Sequence, residues 1–328
     1  MHRTRIAGVG SFLPDKVLTN FDLEKLVETS NEWIIQRTGI ERRHVVADDE
    51  GTSDMCVRAA NRALENAGMT IDQIEMICVA TLTPDYKMPA TACLVQSKLG
   101  AKNVMSFDLN AACSGFIYGL HVVDQFIKTG AYKNVLLIGA ENLTRLMNYK
   151  DRETCILFGD GAGAMVLQRT EESDPNHLMT TLAHAEGSLY DLLWAKSGGT
   201  RHPFSQEVLD DGSYFMQMKG KDIFKNATRA MAACCKEALA NTQLTRADID
   251  WIVPHQANLR ITEAVSNFMD FPMEKIISTV HETGNTSAAS IPIAFDIAMR
   301  DGRIKRGQTI LMTAFGAGLT SGAAVLRY

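Results

Sequence analysis

The chain has 328 residues, 46% of them hydrophobic, with 33 Lys and Arg against 38 Asp and Glu and a formal net charge of −5. That length supports a large core in two domains or two halves of one, and the negative balance excludes broad nucleic-acid binding, which needs a basic excess. No run approaches the roughly 20 apolar residues that cross a bilayer, and the opening "MHRTRIAGVGSFLP" lacks the apolar stretch of a signal peptide, so a cytoplasmic protein with no membrane partner is expected.

Seven cysteines, at 56, 78, 93, 113, 155, 234 and 235, form no CxxC pair and have no His-rich cluster beside them. Neither a disulfide framework nor a zinc site is indicated, and no metal is expected.

Along the chain, "SNEWIIQRTGIERRH" (30–44) places Trp33 and Arg37 four apart on one face of a helix. Such a pair can stack an adenine and bind phosphate, and it is equally the solvated face of a helix with a half-buried Trp. "ALENAGMTIDQIEMICVA" (63–80) reads as a helix end, a turn and a buried strand. "DLNAACSGF" (108–116) then sets Cys113 among Ala111, Ala112, Ser114 and Gly115, ahead of the helix-patterned "IYGLHVVDQFIKTG". Free cysteine is among the most buried residue types. A helix N-terminus, however, lowers a thiol pKa, and the small neighbours leave room for an acyl group, so core residue and nucleophile both stand. "NVLLIGAE" (134–141) is a buried strand, and "FGDGAGAMVL" (158–167) puts its glycines ahead of a strand-like run rather than a helix, which weakens a nucleotide-loop reading.

The second half repeats this order. "ALANTQLTRADIDWIVPH" aligns with 63–80 without gaps at an offset of 175 (238 against 63), "QTILMTAF" (308–315) resembles 134–141, and "GAAVLRY" (322–328) resembles "GAMVLQR" (163–169). Between these, "NTSAASIPIAFDIAMRDG" (285–302) falls against 113–130 at an offset of 172, which matches Asp296 with Asp124 and Asn285 with Cys113. The pattern predicts a duplicated α/β protein with halves at 1–172 and 173–328, mainly parallel strands covered by helices, and reactive groups beyond the strand ends. "AKSGGTRHPFSQEVLDDGSYF" (195–215) has no counterpart in the first half and reads as an inserted surface loop or lid.

His255 directly follows a strand in "VPHQAN", and Asn285 sits in "HETGNTSAAS". Alone, the first reads as structural and the second as a turn; His121 and His281 are further candidate bases that follow no strand in this way. It is the duplication that draws Cys113, His255 and Asn285 toward one site. Cys with His and Asn serves either a thiol protease, in which Asn orients a basic His, or a condensing enzyme, in which Cys holds an acyl thioester while His and Asn stabilise charge on a second thioester losing carbon dioxide. The aromatic neighbour and second cysteine of the protease signature are absent, which favours the acyl carrier. "FGAGLTSGAAVL" (315–326) permits close backbone approach to a reacting carbonyl.

Taken in order, "IAGVGSFLP", "NEWIIQRTGIERRH", "NAACSGF", "FGDGAGA", "VPHQANLRI", "HETGNTSAAS" and "GAAVLRY" resemble the β-ketoacyl-acyl-carrier-protein synthases III, condensing enzymes of the thiolase superfamily. The resemblance implies a thiolase-like α/β fold, two duplicated halves packed as an α-β-α-β-α sandwich. It also implies that acyl-CoA and malonyl-acyl carrier protein (malonyl-ACP) are joined by decarboxylative Claisen condensation, initiating fatty acid synthesis, with no cofactor and in a homodimer. On that resemblance Cys113 takes the acyl group, His255 and Asn285 promote decarboxylation, and the backbone N–H groups of Cys113 and Ala317 hold the oxyanion. Phe315 packs beside the cysteine; Trp33, Arg37 and Arg152 grip coenzyme A; Asn258 lines the pantetheine tunnel. Two positions depart from the family pattern, Ala317 where glycine is common and Met88 where phenylalanine often shapes the acyl pocket. Lys221, Lys225 and Arg229 share a helix face, and the resemblance favours Lys225 with Arg260 as contacts for the acidic carrier protein. The alternatives are a related acyltransferase or condensing enzyme of secondary metabolism and, from another class, a glycine-rich nucleotide-binding regulatory protein.

Overall fold

A computed structural model describes residues 2–328. Strands β1 (Arg3–Phe12), β2 (Met76–Ala80), β3 (Met105–Leu109), β4 (Asn134–Glu141) and β5 (Gly161–Thr170) form one sheet in the order β1-β5-β4-β2-β3. Strands β6 (Leu178–Ala185), β7 (Trp251–Pro254), β8 (Thr309–Gly316) and β9 (Thr320–Arg327) form the second in the order β7-β8-β9-β6. Helices of eight or more residues are α1 (Asn31–Thr38), α2 (Thr52–Ala67), α3 (Thr91–Leu99), α4 (Gly115–Lys128), α5 (Gly220–Thr242), α6 (Leu259–Met269) and α7 (Ser290–Arg300).

Five layers follow from which faces are apolar. Sequences such as "NVLLIGAE" and "TILMTAFG" are buried along their whole length because helices cover both faces of each sheet. α2 and α3 pack their Ala, Met and Val side chains on the outer face of the first sheet, and α5 and α6 do the same on the second. α4 and α7 lie between the sheets, where Phe116, Leu120, Ile291 and Phe295 meet Val135 and Leu137 on one side and Ile310 and Met312 on the other. Each sheet is mixed, not mainly parallel: β4-β2, β2-β3 and β7-β8 are parallel, and the remaining neighbours are antiparallel. The reason lies in the connections, since β8 turns directly into β9 at the Gly316–Thr320 pair without a crossover helix.

The duplication is observed at an offset of 175 through the first turn and the central strand. Asn134–Glu141 and Thr309–Gly316 are 175 apart end to end, and so are the turns Ile71–Gln73 and Arg246–Asp248. Gly163 sits opposite Gly139 as Gly322 sits opposite Ala314, which confirms the match of the last strands.

Two expectations are corrected. The turn Ala112–Ser114 that leads into α4 corresponds to Ser287–Ala289 leading into α7, and both begin on a residue of positive φ, Ala112 at 48° and Ser287 at 49°. Cys113 is therefore equivalent to Ala288, and Asn285 to Asn110. The side chains of Asn110 and Asn285 each accept the N–H two residues on, from Ala112 at 3.1 Å and Ser287 at 2.9 Å. The 195–215 segment also has a topological counterpart: the chain makes a long excursion from β1 to α2 in the first half and from β6 to α5 in the second, with unrelated sequences. In the second half it carries a short helix (Gln206–Asp210) and a ribbon (Leu193–Ala195 with Met216–Met218).

Candidate active site

Beyond the carboxyl ends of β3, β7 and β8 lies a cavity of about 830 Å³, in the range of small-molecule sites, lined by Cys113, His255, Asn285, Phe315 and Gly316 at its buried end. Trp33, Arg37, Arg152, Asn258, Lys221 and Arg260 line the part nearer solvent.

Cys113 is placed by contact between the halves. Ser114 Oγ donates to Thr320 O at 3.0 Å and Thr320 Oγ1 to Ala111 O at 2.9 Å. Gly316 presses so closely on this turn that a Cβ there would stand 2.8 Å from Cys113 N and 2.9 Å from Ser114 N. The closeness of the approach itself requires glycine here. The expected lowering of the thiol pKa is overturned: a 3₁₀ turn, not the first turn of α4, holds Cys113, and burial pushes the thiol up to about 12, with the Ser287 side chain opposing the rise and the Glu141 charge adding to it. The resting group is a neutral thiol.

His255 emerges from β7, its N–H donating to Thr313 O at 2.8 Å. Ser290 Oγ accepts from Gln256 N at 3.3 Å and lies 2.7 Å from His255 Nδ1. With the Ser290 hydroxyl donating to Nδ1, the imidazole proton is assigned to Nε2, the free nitrogen. Burial pushes the imidazole down to about 4, so it is neutral at ordinary pH. Asn285 is gripped from residues 157–159, at the entry to the glycine-rich segment: Asn285 N donates to Leu157 O at 2.9 Å and Gly159 N to Asn285 O at 3.1 Å. Because Ser287 N occupies Oδ1, the Nδ2 amide is the donor left for a ligand.

Toward solvent, Trp33 is covered by two cations, Arg37 at 4.6 Å and Arg152 at 5.1 Å from its ring centroid. Asn258 caps α6 by accepting from Ile261 N, and Arg260 stands over the Phe224 ring at 5.6 Å. Ala317 is half-buried beside Gly316, with no positive φ, and does not line the cavity. Lys225 is exposed on α5 outside the lining. Met88 is 85% exposed on the loop before α3, outside the cavity of its own chain. His121 pairs with Thr181 at 2.9 Å away from the site, and His281 is exposed.

Residues 107–187 match the family described as 3-oxoacyl-[acyl-carrier-protein] synthase III, and residues 239–328 match the description of its C-terminal region. The β-ketoacyl-[acyl-carrier-protein] synthase III of Xanthomonas campestris pv. campestris is 50% identical over 325 residues, 99% of this chain and 98% of that one. The chain belongs to the β-ketoacyl-[acyl-carrier-protein] synthase III family. A synthase III from Alkalilimnicola ehrlichii is 49% identical over the full length of both chains. The crystal structure of 3-oxoacyl-[acyl-carrier-protein] synthase III from Aquifex aeolicus superposes with a TM-score of 0.92 at 47% identity, covering 99% of this chain and 100% of that one. The protein is thus an acyl-transferring condensing enzyme of the thiolase fold, of the kind that starts fatty acid synthesis by condensing acyl-CoA with malonyl-ACP; an enzyme of secondary metabolism is not favoured. No helix among the described residues is long and apolar enough to cross a membrane.

Three buried polar residues behind the candidate site escaped the sequence reading: Ser290, Ser287 and Glu141. Ser287 and Ser290 lie inside "NTSAAS", where they read only as small turn residues. Glu141 gave a usable signal, a carboxylate ending a strand buried along its whole length.

Proposed function

We propose that Cys113 carries the primer acyl group and that His255 and Asn285 drive decarboxylation of the malonyl thioester. The observation that carries this reading is the convergence of a buried thiol, a neutral imidazole and a free amide NH₂ on one cavity whose outer part bears an indole flanked by two guanidinium groups. A neutral imidazole with its proton on Nε2 and the Asn285 Nδ2 are both hydrogen-bond donors. Together they stabilise negative charge on the malonyl thioester oxygen as the carbon–carbon bond to carbon dioxide breaks. The resulting carbanion attacks the Cys113 thioester, whose oxyanion faces the N–H groups of Cys113 and Ala317. The strand end at Gly316 brings these main chains together, and alanine at 317 adds no strain because its φ is not positive.

In this reading Trp33, Arg37 and Arg152 take the nucleotide of coenzyme A, Asn258 the pantetheine, and Lys225 with Arg260 the acidic carrier protein. Phe315 packs at the cysteine. The enzyme works in the cytoplasm, with acyl-CoA as substrate rather than cofactor, and as a homodimer. Met88 and Tyr86, 85% and 61% exposed on one loop, supply apolar surface for contact between copies, so Met88 shapes an acyl pocket only across that contact.

Incubation with radiolabelled acyl-CoA is expected to leave one acyl group per chain on Cys113, located by peptide mapping. His255→Ala should retain this labelling and lose malonyl decarboxylation by about two to three orders of magnitude, the cost of one charge-stabilising donor. Equal loss of both steps would contradict the division of roles.

A further inference from the structure

Glu141 ends β4 fully buried. Thr83 Oγ1 donates to its carboxylate at 2.6 Å, Thr81 Oγ1 at 3.3 Å, Leu82 N at 3.2 and 3.3 Å, and Ser287 Oγ at 3.1 Å. The turn that carries Ser287 packs against the turn that carries Cys113, and the Ser287 side chain acts on the Cys113 thiol. Ser287 holds that place with a φ of 49°, sparsely populated for a residue with a side chain, and its own N–H is pinned by Asn285 Oδ1. The buried carboxylate is thus bonded to a hydroxyl that neighbours the thiol, and decarboxylation by His255 and Asn285 leaves Glu141 unused.

We propose that Ser287 and Glu141 form a proton relay that takes the Cys113 proton during acylation and returns it during condensation. The inference rests on Cys113 being the acylated group. In acylation the sulfur bonds to the carbonyl carbon of acyl-CoA, its proton passes to Ser287 Oγ while the Ser287 proton passes to Glu141, and coenzyme A leaves as a thiolate protonated by water. In condensation the malonyl carboxylate leaves as carbon dioxide, its electron pair forms the new carbon–carbon bond, and the departing Cys113 sulfur regains its proton from Glu141 through Ser287. One proton cycles, and no oxidant or reductant is needed. His255 is the poorer acceptor: burial leaves it at about 4, whereas burial raises Glu141 to about 7, its four donors opposing that rise. The titratable groups facing Glu141 are the Cys113 thiol from the turn ahead of α4 and the Cys56 thiol from α2, with Asp85, Asp108 and the Lys98 ammonium further out in the same field around Cys56.

The test is single-turnover acylation of the full-length enzyme by acyl-CoA, followed by mass spectrometry across pH, with infrared difference spectra of acylated minus free enzyme. Acylation should rise through an inflection near neutral pH, and a carboxylic-acid C=O band should appear in the acyl-enzyme. Glu141→Gln should slow acylation about a hundredfold, the scale of one lost proton acceptor, and remove both inflection and band, while malonyl-thioester decarboxylation reports that the site is still assembled. Ser287→Ala, which keeps the carboxyl and cuts the relay, should slow acylation alike and also lose the band. If both variants acylate with the wild-type pH profile and no acid band forms, the relay is overturned. A wild-type enzyme that takes no acyl group on Cys113 would overturn the assignment beneath it instead.

Discussion

Burial displaces His255 and Glu141 in ways that oppose each other in stability. Glu141 is held above its ordinary 4.5, at about 7, so between those values the folded chain binds more protons than the unfolded one, and stability falls as pH rises. His255 is held below its ordinary 6.5, at about 4, so over that interval the unfolded chain binds more protons, and stability falls as pH drops. From pH 6.5 down to 4.5 the two trends offset each other. Glu141→Gln removes the one that stabilises on acidification, and the melting temperature of the variant should fall more steeply than wild type over that window; a parallel profile would mean that Glu141 does not titrate there. Ser290 acts through orientation. Ser290→Ala leaves the buried Nδ1 without its partner at the cost of a hydrogen bond, about 1.4 kcal/mol or tenfold in decarboxylation, and the loss should appear in kcat rather than in acylation of Cys113.

Among elements, the paired turns Ala112–Ser114 and Ser287–Ala289 define the site, because each strand-end approach from the opposite half packs one of them. Gly316→Ala drives a methyl into the Cys113 and Ser114 amides and should cost about 1 to 3 kcal/mol, as overpacking does, together with acylation. Gly187→Ala, which meets nothing within 4 Å, is the matched control for denaturation and labelling. These turns also show where sequence reasoning stopped. Asp124 with Asp296, and Gly130 with Gly302 at φ of 81° and 82°, do match at an offset of 172, because α7 has 11 residues where α4 has 14. The alignment is therefore sound at the helix ends and wrong at their starts, and it drew Cys113 opposite Asn285 for a reason that does not hold. The three residues nonetheless share a cavity, since residues at equivalent strand ends converge wherever the halves face each other. Ser287 and Ser290 were illegible because small polar residues in a turn look alike until their partners, on β4 and just beyond β7, are in place.

For the whole molecule, the repeat was legible because each half must bury the same helix-turn-strand unit, and apolar periodicity survives divergence of everything else. Sheet direction was not legible: an apolar run of eight residues reads the same whether its neighbour arrives through a helix or a short turn. The ties that complete the site join the chain across great separations, Ser114 to Thr320 over 206 residues and Glu141 to Ser287 over 146. Contacts of that reach form slowly, since the chain entropy of closing the loops is lost before they reward it. Refolding from denaturant should therefore recover helical circular dichroism well before acyl-CoA can label Cys113. Labelling that returned together with the first helical signal would show that one half matures its thiol unaided. On the proposed role of Cys113, the seam between the halves would act as a clock on the newly made chain, withholding the sulfur until residues from both halves have met.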